Sequence, residues 1–276
     1  TLRQPLQIEA REVFATASIG IVIGSLAYQN ATELLRDADI AMYRAKANGK
    51  NNYALFDPML HDQVMYRLQL EHDLRRAIGK HQLELYYQPI VNLKDGSIFC
   101  LEALMRWRHP EQGLISPDEF IPIAEETGLV VALDQWGLQT ACWQLKQWQS
   151  QFSQAQHLKV SVNLSAQDLQ VSGLVDNISS VLAESHLEGQ YLVLEMTESL
   201  LISDMPQVVQ LIAQLQDLSV QLAVDDFGTG YSSLSYLHRF PLSALKIDQS
   251  FTLNMREGLV NQDIIETIVA LSDRLG

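Results

Sequence analysis

Gln221-Leu222-Ala223-Val224-Asp225-Asp226 is a short apolar run that stops on two adjacent carboxylates, and the same design recurs along the chain. Residues 97–105 read as a strand reaching Glu102, residues 158–163 as one ending in Asn163, and residues 191–196 as one carrying Glu195. Residues 244–248 begin near Lys246 and end in Asp248. Another strand, 83–91, precedes these, and the turn Lys94-Asp95-Gly96 leaves it close enough to 97–105 for an antiparallel hairpin. Amphipathic stretches separate the rest, with the stripes Val208, Leu211, Ile212, Leu215 near 205–218 and Ile264, Ile268, Leu271, Leu275 in the last segment. Strands that alternate with helices imply parallel crossovers, and so a barrel or an open doubly wound sheet.

One acid at a strand end is ordinarily a solvated loop residue or the cap of the next helix. Polar residues at successive strand ends gather at the C-terminal rim of the sheet, where βα barrels build active sites. Carboxylates crowded there need cations to compensate them. The donors are oxygens, and the seven histidines show no His-x-His or His-x-x-x-His spacing, so Mg²⁺ or Mn²⁺ fits better than Zn²⁺. Asp225 suits a bridge between two ions and Asp226 a ligand of one, as in two-metal phosphoester cleavage with ions about 3.5–4 Å apart. Lys246 at the same rim is placed to orient a water or to neutralise phosphate charge. Phe227-Gly228-Thr229-Gly230-Tyr231, directly after the aspartates, reads as a mobile loop over the site. Trp107, Trp136, Trp143 and Trp148 read as packing residues, with Trp136 and Trp143 on one helix face.

Nearer the N-terminus, residues 13–23 read as one buried strand. Asn30 then has the position of an N-cap, with Glu33 in capping-box spacing, and the helix that follows carries Leu34, Leu35, Ala38, Ala41, Met42 and Ala45 on one face. Gly49 suits its end, and residues 52–56 a closing strand. Pro58 marks a break, after which residues 60–78 form an amphipathic helix. Three regions result: 1–57, a connector over 58–80, and 81–276.

The chain has 276 residues, 47% of them apolar and 19% charged, which is globular material. With 33 acidic against 19 basic residues its formal charge is −14. That balance argues against a nucleic acid polymer or anionic lipid as main partner, because phosphate binding rests on Lys and Arg. Metal ions as the contact surface would still admit an anionic phosphodiester. Two cysteines, Cys100 and Cys142, make no disulfide framework, and no apolar run nears the roughly 18 residues that span a bilayer, so a cytoplasmic setting is expected.

The motifs together resemble a known family. Glu102-Ala103-Leu104, preceded by Tyr87-Gln88-Pro89-Ile90, resembles the EAL signature of cyclic di-GMP phosphodiesterases. Asn163-Leu164-Ser165, Glu195-Met196-Thr197-Glu198, Asp225-Asp226-Phe227-Gly228-Thr229-Gly230-Tyr231 and Lys246-Ile247-Asp248 follow in that family's order. The resemblance implies an α/β fold, a (β/α)8 TIM-like barrel with one antiparallel strand. It implies hydrolysis of cyclic di-GMP to linear pGpG with two Mg²⁺ or Mn²⁺ ions. By motif, Glu102, Asn163, Glu195 and Asp225 match metal ligands, and Asp226 a ligand of the second ion. Lys246 matches the lysine near the attacking water, and Asp248 a neighbouring acid. Gln88 and Arg106 match substrate contacts, Arg106 through phosphate; Pro117 and Phe120 are expected to face a guanine. Glu198 matches a glutamate that supports the glycine loop.

Residues 1–57 resemble the tail of a GGDEF diguanylate cyclase, an α+β fragment, through Ala17-Ser18-Ile19-Gly20-Ile21 and the segment 38–51. No Gly-Gly dipeptide occurs in the chain, so the cyclase's signature loop is absent and the resemblance carries no cyclase claim. Residues 83–276 are fewer than the roughly 250 of a typical barrel, so about two βα units are expected to be missing and the barrel to be incomplete at its C-terminus. The expectation is a tandem protein cut at both ends, poorly soluble when these residues are expressed alone. A homodimer is expected of the full-length protein, with an upstream sensor domain and a membrane anchor of the kind tandem relatives often carry. Two other classes remain open: a cyclic di-GMP receptor that does not cut, and an unrelated metal-dependent barrel enzyme.

Overall fold

The computed structural model of the chain describes residues 6–8, 11–13, 16–24, 28, 30–47, 50–198, 200, 205–228, 240, 242–253 and 259–275. It divides into two compact units, Thr1–Asp73 and Leu74–Gly276.

In the first unit, β1 (Leu6–Ile8) pairs antiparallel with β2 (Arg11–Val13). β3 (Ile19–Ile21) pairs parallel with β4 (Tyr53–Leu55), and α1 (Ala31–Ala47) joins them and packs on both. The apolar run 13–23 is therefore two strands, not one. An unbroken apolar stretch does not reveal where a chain changes its hydrogen-bonding partner. The α1 start is as expected: the Glu33 N–H donates to Asn30 Oδ1 at 3.0 Å, and Asn30 Nδ2 donates to Glu33 Oε1 at 3.0 Å. Ala41 and Ala45 lie fully buried on the helix. Gly20 permits this approach, since a Cβ there would stand 1.9 Å from the Ala38 carbonyl oxygen. Gly49 lies outside the described residues. α2 (Pro58–Ala77) follows, and the division between the units falls within it.

The second unit is built on a sheet of order β11-β10-β9-β8-β6-β5. Its strands are β5 (Leu83–Val91), β6 (Ile98–His109), β8 (Lys159–Asn163), β9 (Leu192–Thr197), β10 (Gln221–Phe227) and β11 (Ala244–Ile247). β5 runs antiparallel to β6, with Leu83 opposite Trp107, and the remaining neighbours are parallel. The hairpin closes through Gly96, at φ 72°, and through Asp95, whose Oδ1 accepts from the Ser97 N–H at 2.9 Å. A short strand, β7 (Gly113–Ile115), adds antiparallel to the end of β6. Three residues carry no periodicity, so the sequence offers no sign of it.

Side chains alternate faces along each strand. Leu101 apart, one face of the sheet (Ala103, Val160, Val162, Leu192, Leu194, Met196, Leu222, Val224) forms the main core. Against it pack α4 (Val130–Gln151) through Leu138, Ala141 and Leu145, α5 (Leu174–Ser185) through Ile178 and Val181, and α6 (Met205–Asp217) through Val208, Ile212 and Leu215. The opposite face carries a second, small cluster of Cys100, Val193 and Ala223 with Ile90 against it. This is the layered interior of a TIM-like barrel, bounded among the described residues by β5 and β11. Helix α3 (Pro117–Thr127) follows β7, α7 (Gln249–Leu253) follows β11, and α8 (Leu259–Leu275) is the last element. Trp107 is fully buried, and Trp148 meets Tyr87 edge-on at 4.7 Å between ring centres. Trp143 departs from the packing role expected of it: it is 48% exposed. No helix among the described residues is long and apolar enough to cross a membrane.

Candidate active site at the carboxyl ends of the strands

Strand register alone brings the expected residues to one face. Gln88 lies opposite Glu102, Glu102 beside Ser161, and Asn163 beside Glu195. Glu195 neighbours Ala223, two residues before Asp225, and Ala223 neighbours Ala244, two before Lys246. A step of two keeps the face, so all of these point to the inner side of the sheet, one layer above Cys100, Val193 and Ala223.

Asp226 needs a further device, because adjacent residues of a regular strand point to opposite faces. Between β10 and β11, Val224 pairs with Leu245 but Phe227 pairs with Ile247. Two residues, Asp225 and Asp226, thus stand against the single Lys246, which is a β-bulge. Asp226 takes φ 53°, a left-handed conformation that aspartate tolerates better than most residues. The bulge leaves Asp225 in the cluster and brings Asp226 to a cavity of about 560 Å³ also lined by Arg106, Pro117, Asp118, Asn163 and Ser165.

The chemistry concentrates on three carboxylates. Oxygens of Glu102, Glu195 and Asp225 lie within 4.8 Å of one another. Lys246 Nζ sits among them, 3.2 Å from Glu102 Oε2, 2.5 Å from Glu195 Oε2 and 3.2 Å from Asp225 Oδ2. Burial pushes the Glu195 carboxyl above its ordinary range, and the Lys246 hydrogen bond works against that push. Burial disfavours the Lys246 charge, but its hydrogen bond to Glu195 and the three carboxylates override it and hold the ammonium charged. One ammonium offsets only one of three carboxylate charges. Hard oxygen donors, close spacing and this charge deficit fit a divalent cation of the Mg²⁺ or Mn²⁺ type.

The remaining expected residues fall into different places. Arg106 donates from Nη1 to the Met105 carbonyl at 2.8 Å and lies with its guanidinium 5.4 Å from the Tyr86 ring centre. Glu198 is buried, and its Oε2 accepts the Gly228 N–H at 3.1 Å. Gly228 has φ 101°, and a Cβ there would stand 3.0 Å from the Phe251 ring, so glycine is required. Thr229 to Tyr231 of the expected loop lie outside the described residues. Asp248 accepts the Ser250 N–H on Oδ1 at 2.8 Å, and hydrogen bonds from Ser250 hold its carboxyl low. Asp226 is pushed the other way, by burial and then by the charges of Asp225 and Asp248. Phe120, expected to face a guanine, does not line the cavity. It is fully buried, edge-on to Trp107 at 5.9 Å, because three residues beyond Pro117 the helix turns this position into the core.

Two further carboxyls that sequence did not single out lie here: Asp134 lines the cavity, and Asp168 holds Ser165 of its lining. Asp168 is buried and accepts from Ser165 through both N–H (3.0 Å) and Oγ (2.6 Å). Asp134, on α4, has Oδ2 buried without a hydrogen-bond partner among the described residues. Burial first, and Asp168 second, push the Asp134 carboxyl far up, so it is neutral near pH 7. An acid raised on folding contributes its stability below its unfolded pKa of about 3.9, and that contribution is lost as pH rises towards the folded value. Asp134→Asn should therefore raise the melting temperature at pH 8 and flatten its decline between pH 5 and 8. A melt at pH 8 no higher than that of the unsubstituted chain would contradict the neutral assignment.

Comparison with known proteins gives the following. The EAL domain family matches residues 71–276, and the diguanylate cyclase GGDEF domain family matches residues 1–52. Over 274 residues the chain is 40% identical to "Cyclic di-GMP phosphodiesterase NbdA" and 42% identical to "Bifunctional diguanylate cyclase/cyclic di-GMP phosphodiesterase MucR", both of Pseudomonas aeruginosa. It is 38% identical to "Cyclic di-GMP phosphodiesterase PdeR" of Escherichia coli. These alignments take in 99% of the chain but only 35%, 40% and 41% of the three relatives' lengths. A solved structure described as "PaMucR Phosphodiesterase, c-di-GMP complex" superposes with a TM-score of 0.72 at 42% identity, covering 75% of this chain and 83% of that one.

Proposed function

Because the chain belongs to the EAL-domain family, with a GGDEF segment ahead of its EAL part, we propose that it hydrolyses cyclic di-GMP to linear pGpG with two divalent ions, Mg²⁺ or Mn²⁺. The observation that carries this reading is the meeting of Glu102, Glu195 and Asp225 oxygens within 4.8 Å around Lys246, at the carboxyl ends of parallel strands. Glu102, Asn163, Glu195 and Asp225 would hold one ion, and Asp226 would serve the other. Ions so held supply a water of lowered pKa and charge stabilisation at the phosphate.

The chain's own residues account for the rest. Arg106, pinned by Met105 and Tyr86, offers a planar fork to a phosphate, and Gln88, level with Glu102, offers amide donors beside it. Pro117 provides an apolar wall of the cavity. Lys246 stays charged and presents N–H donors at the carboxylates, where it orients the attacking oxygen for in-line displacement. Asp248 faces Asp226, and Glu198 fixes the start of the glycine loop through the Gly228 N–H. The organisation is a GGDEF-like segment over 1–57, a connector over 58–80 and the EAL domain over 81–276. In the whole protein we place this unit in the cytoplasm, as a homodimer under an upstream sensor domain.

The test is incubation of the purified chain with cyclic di-GMP and Mn²⁺, followed by chromatography for pGpG. Formation of pGpG that EDTA abolishes is the expected result. Tight binding of cyclic di-GMP with no product in the presence of metal would replace the hydrolase with a receptor.

A further inference from the structure

Beneath the carboxylates lies a polar group that the proposed reaction does not use. Ser161 is 1% exposed, and its hydroxyl is buried without a well-formed hydrogen bond among the described residues. Its register places it on the inner face, opposite Glu102 and Val193. The groups that meet it are the Glu195 carboxylate above and the Cys100 thiol beside it. A buried hydroxyl left unbonded costs about 1–3 kcal/mol, so a position that served packing alone would favour alanine. The neighbouring floor positions, Ala223 and Val193, are apolar.

We infer that Ser161 is a positioning residue for Glu195: when a cation is held among Glu102, Glu195 and Asp225, its hydroxyl is the donor that aims the Glu195 carboxylate at that cation. Lys246 grips Glu195 Oε2 from the rim. Ser161 lies beneath the same carboxylate, placed to become its second donor when a cation draws Glu195 away from Lys246. A cation drawing on Glu195 competes with Lys246 but not with Ser161. The hydroxyl is thus the donor available to Glu195 once metal binds, in the way that groups behind a ligand fix its direction. This inference rests on the metal-dependent reading above.

The experiment is calorimetric titration of the full chain with Mn²⁺, without substrate, alongside thermal melts. Ser161→Ala should weaken Mn²⁺ binding by ~10-fold, while its metal-free melting temperature holds or rises, because without metal the hydroxyl has no well-formed hydrogen bond to lose. Ser161→Thr, which keeps the hydroxyl, should stay close to the unsubstituted affinity. Equal affinity in Ser161→Ala, a melting temperature that falls with the affinity, or a Ser161→Thr as weak as the alanine variant would each overturn the inference. The two readings fail separately: Mn²⁺ binding without hydrolysis sinks the enzyme and leaves Ser161 standing, whereas an unchanged Ser161→Ala sinks only the positioning role. No Mn²⁺ binding by the unsubstituted chain sinks both.

Discussion

Glu195→Ala should reduce cyclic di-GMP hydrolysis on the order of 10³-fold, which is about 4 kcal/mol of lost transition-state stabilisation. Glu195 is the most buried of the three clustered carboxylates, at 1% side-chain exposure against 17% for Glu102 and 20% for Asp225. Water therefore has little room to replace it. It is also the carboxylate nearest the Lys246 ammonium, at 2.5 Å, so its removal disturbs both the proposed cation site and the lysine proposed to orient the nucleophile. Folding should survive, since Glu195 is raised by its own burial and the charge it contributes is held at a cost. Glu195→Gln, nearly isosteric, should lose activity as heavily while melting at or above the temperature of the unsubstituted chain. Initial rates with Mn²⁺ decide the matter; a variant within tenfold of the unsubstituted rate would mean that this rim is not where the reaction occurs.

Lys246→Met should show a different pairing of effects. Its side chain is 26% exposed and is, among the described residues, the one ammonium at these three carboxylates. Removing one partner of a mostly buried ionic cluster costs about 3 kcal/mol, or a fall of ~6–12 °C in melting temperature for a unit of this size. Mn²⁺ should recover most of that loss, and should raise the melting temperature of the variant more than that of the unsubstituted chain, because ammonium and divalent ion serve the same carboxylates. Activity should nonetheless stay down by ~10²-fold or more, since a metal replaces the charge of Lys246 but not its N–H donors. Melting curves with and without Mn²⁺ settle the first part and rates settle the second. Hydrolysis restored by Mn²⁺ would assign Lys246 to charge balance alone.

The sequence revealed the site better than it revealed the strand ends. Apolar strands closing on Glu102, Asn163, Glu195 and Asp225 are legible because strand alternation is local, and once the strands lie parallel in order the inner face follows from parity. β5 begins and ends where its pattern does, at Leu83 and Val91. What stayed hidden depends on pairing at a distance. Ile19 and Val13 look continuous, yet each joins a different partner strand. Phe120 and Pro117 share a helix start, but only Trp107, brought in from β6, draws Phe120 away from the cavity. Trp143 has the helical spacing of a core residue and still faces outward, because the stripe that packs on the sheet is the one of Leu138, Ala141 and Leu145. Ser161 and Asp134 carry no motif; their interest lies in unbonded buried oxygens, which exist only in three dimensions.

The bulge at Asp225 and Asp226 also resets the bookkeeping of the strand that holds it. Up to Val224, even-numbered residues of β10 enter the sheet–helix layer; beyond the bulge it is Phe227, an odd one, that joins Leu222 and Val224 there. The doubled aspartate thus shifts the numbering phase of the strand by one residue. Shortening the strand by either residue would remove the bulge and restore plain alternation: the Phe227 ring would keep its place beside Leu222 and Val224, but a single carboxylate would remain where two now reach different places.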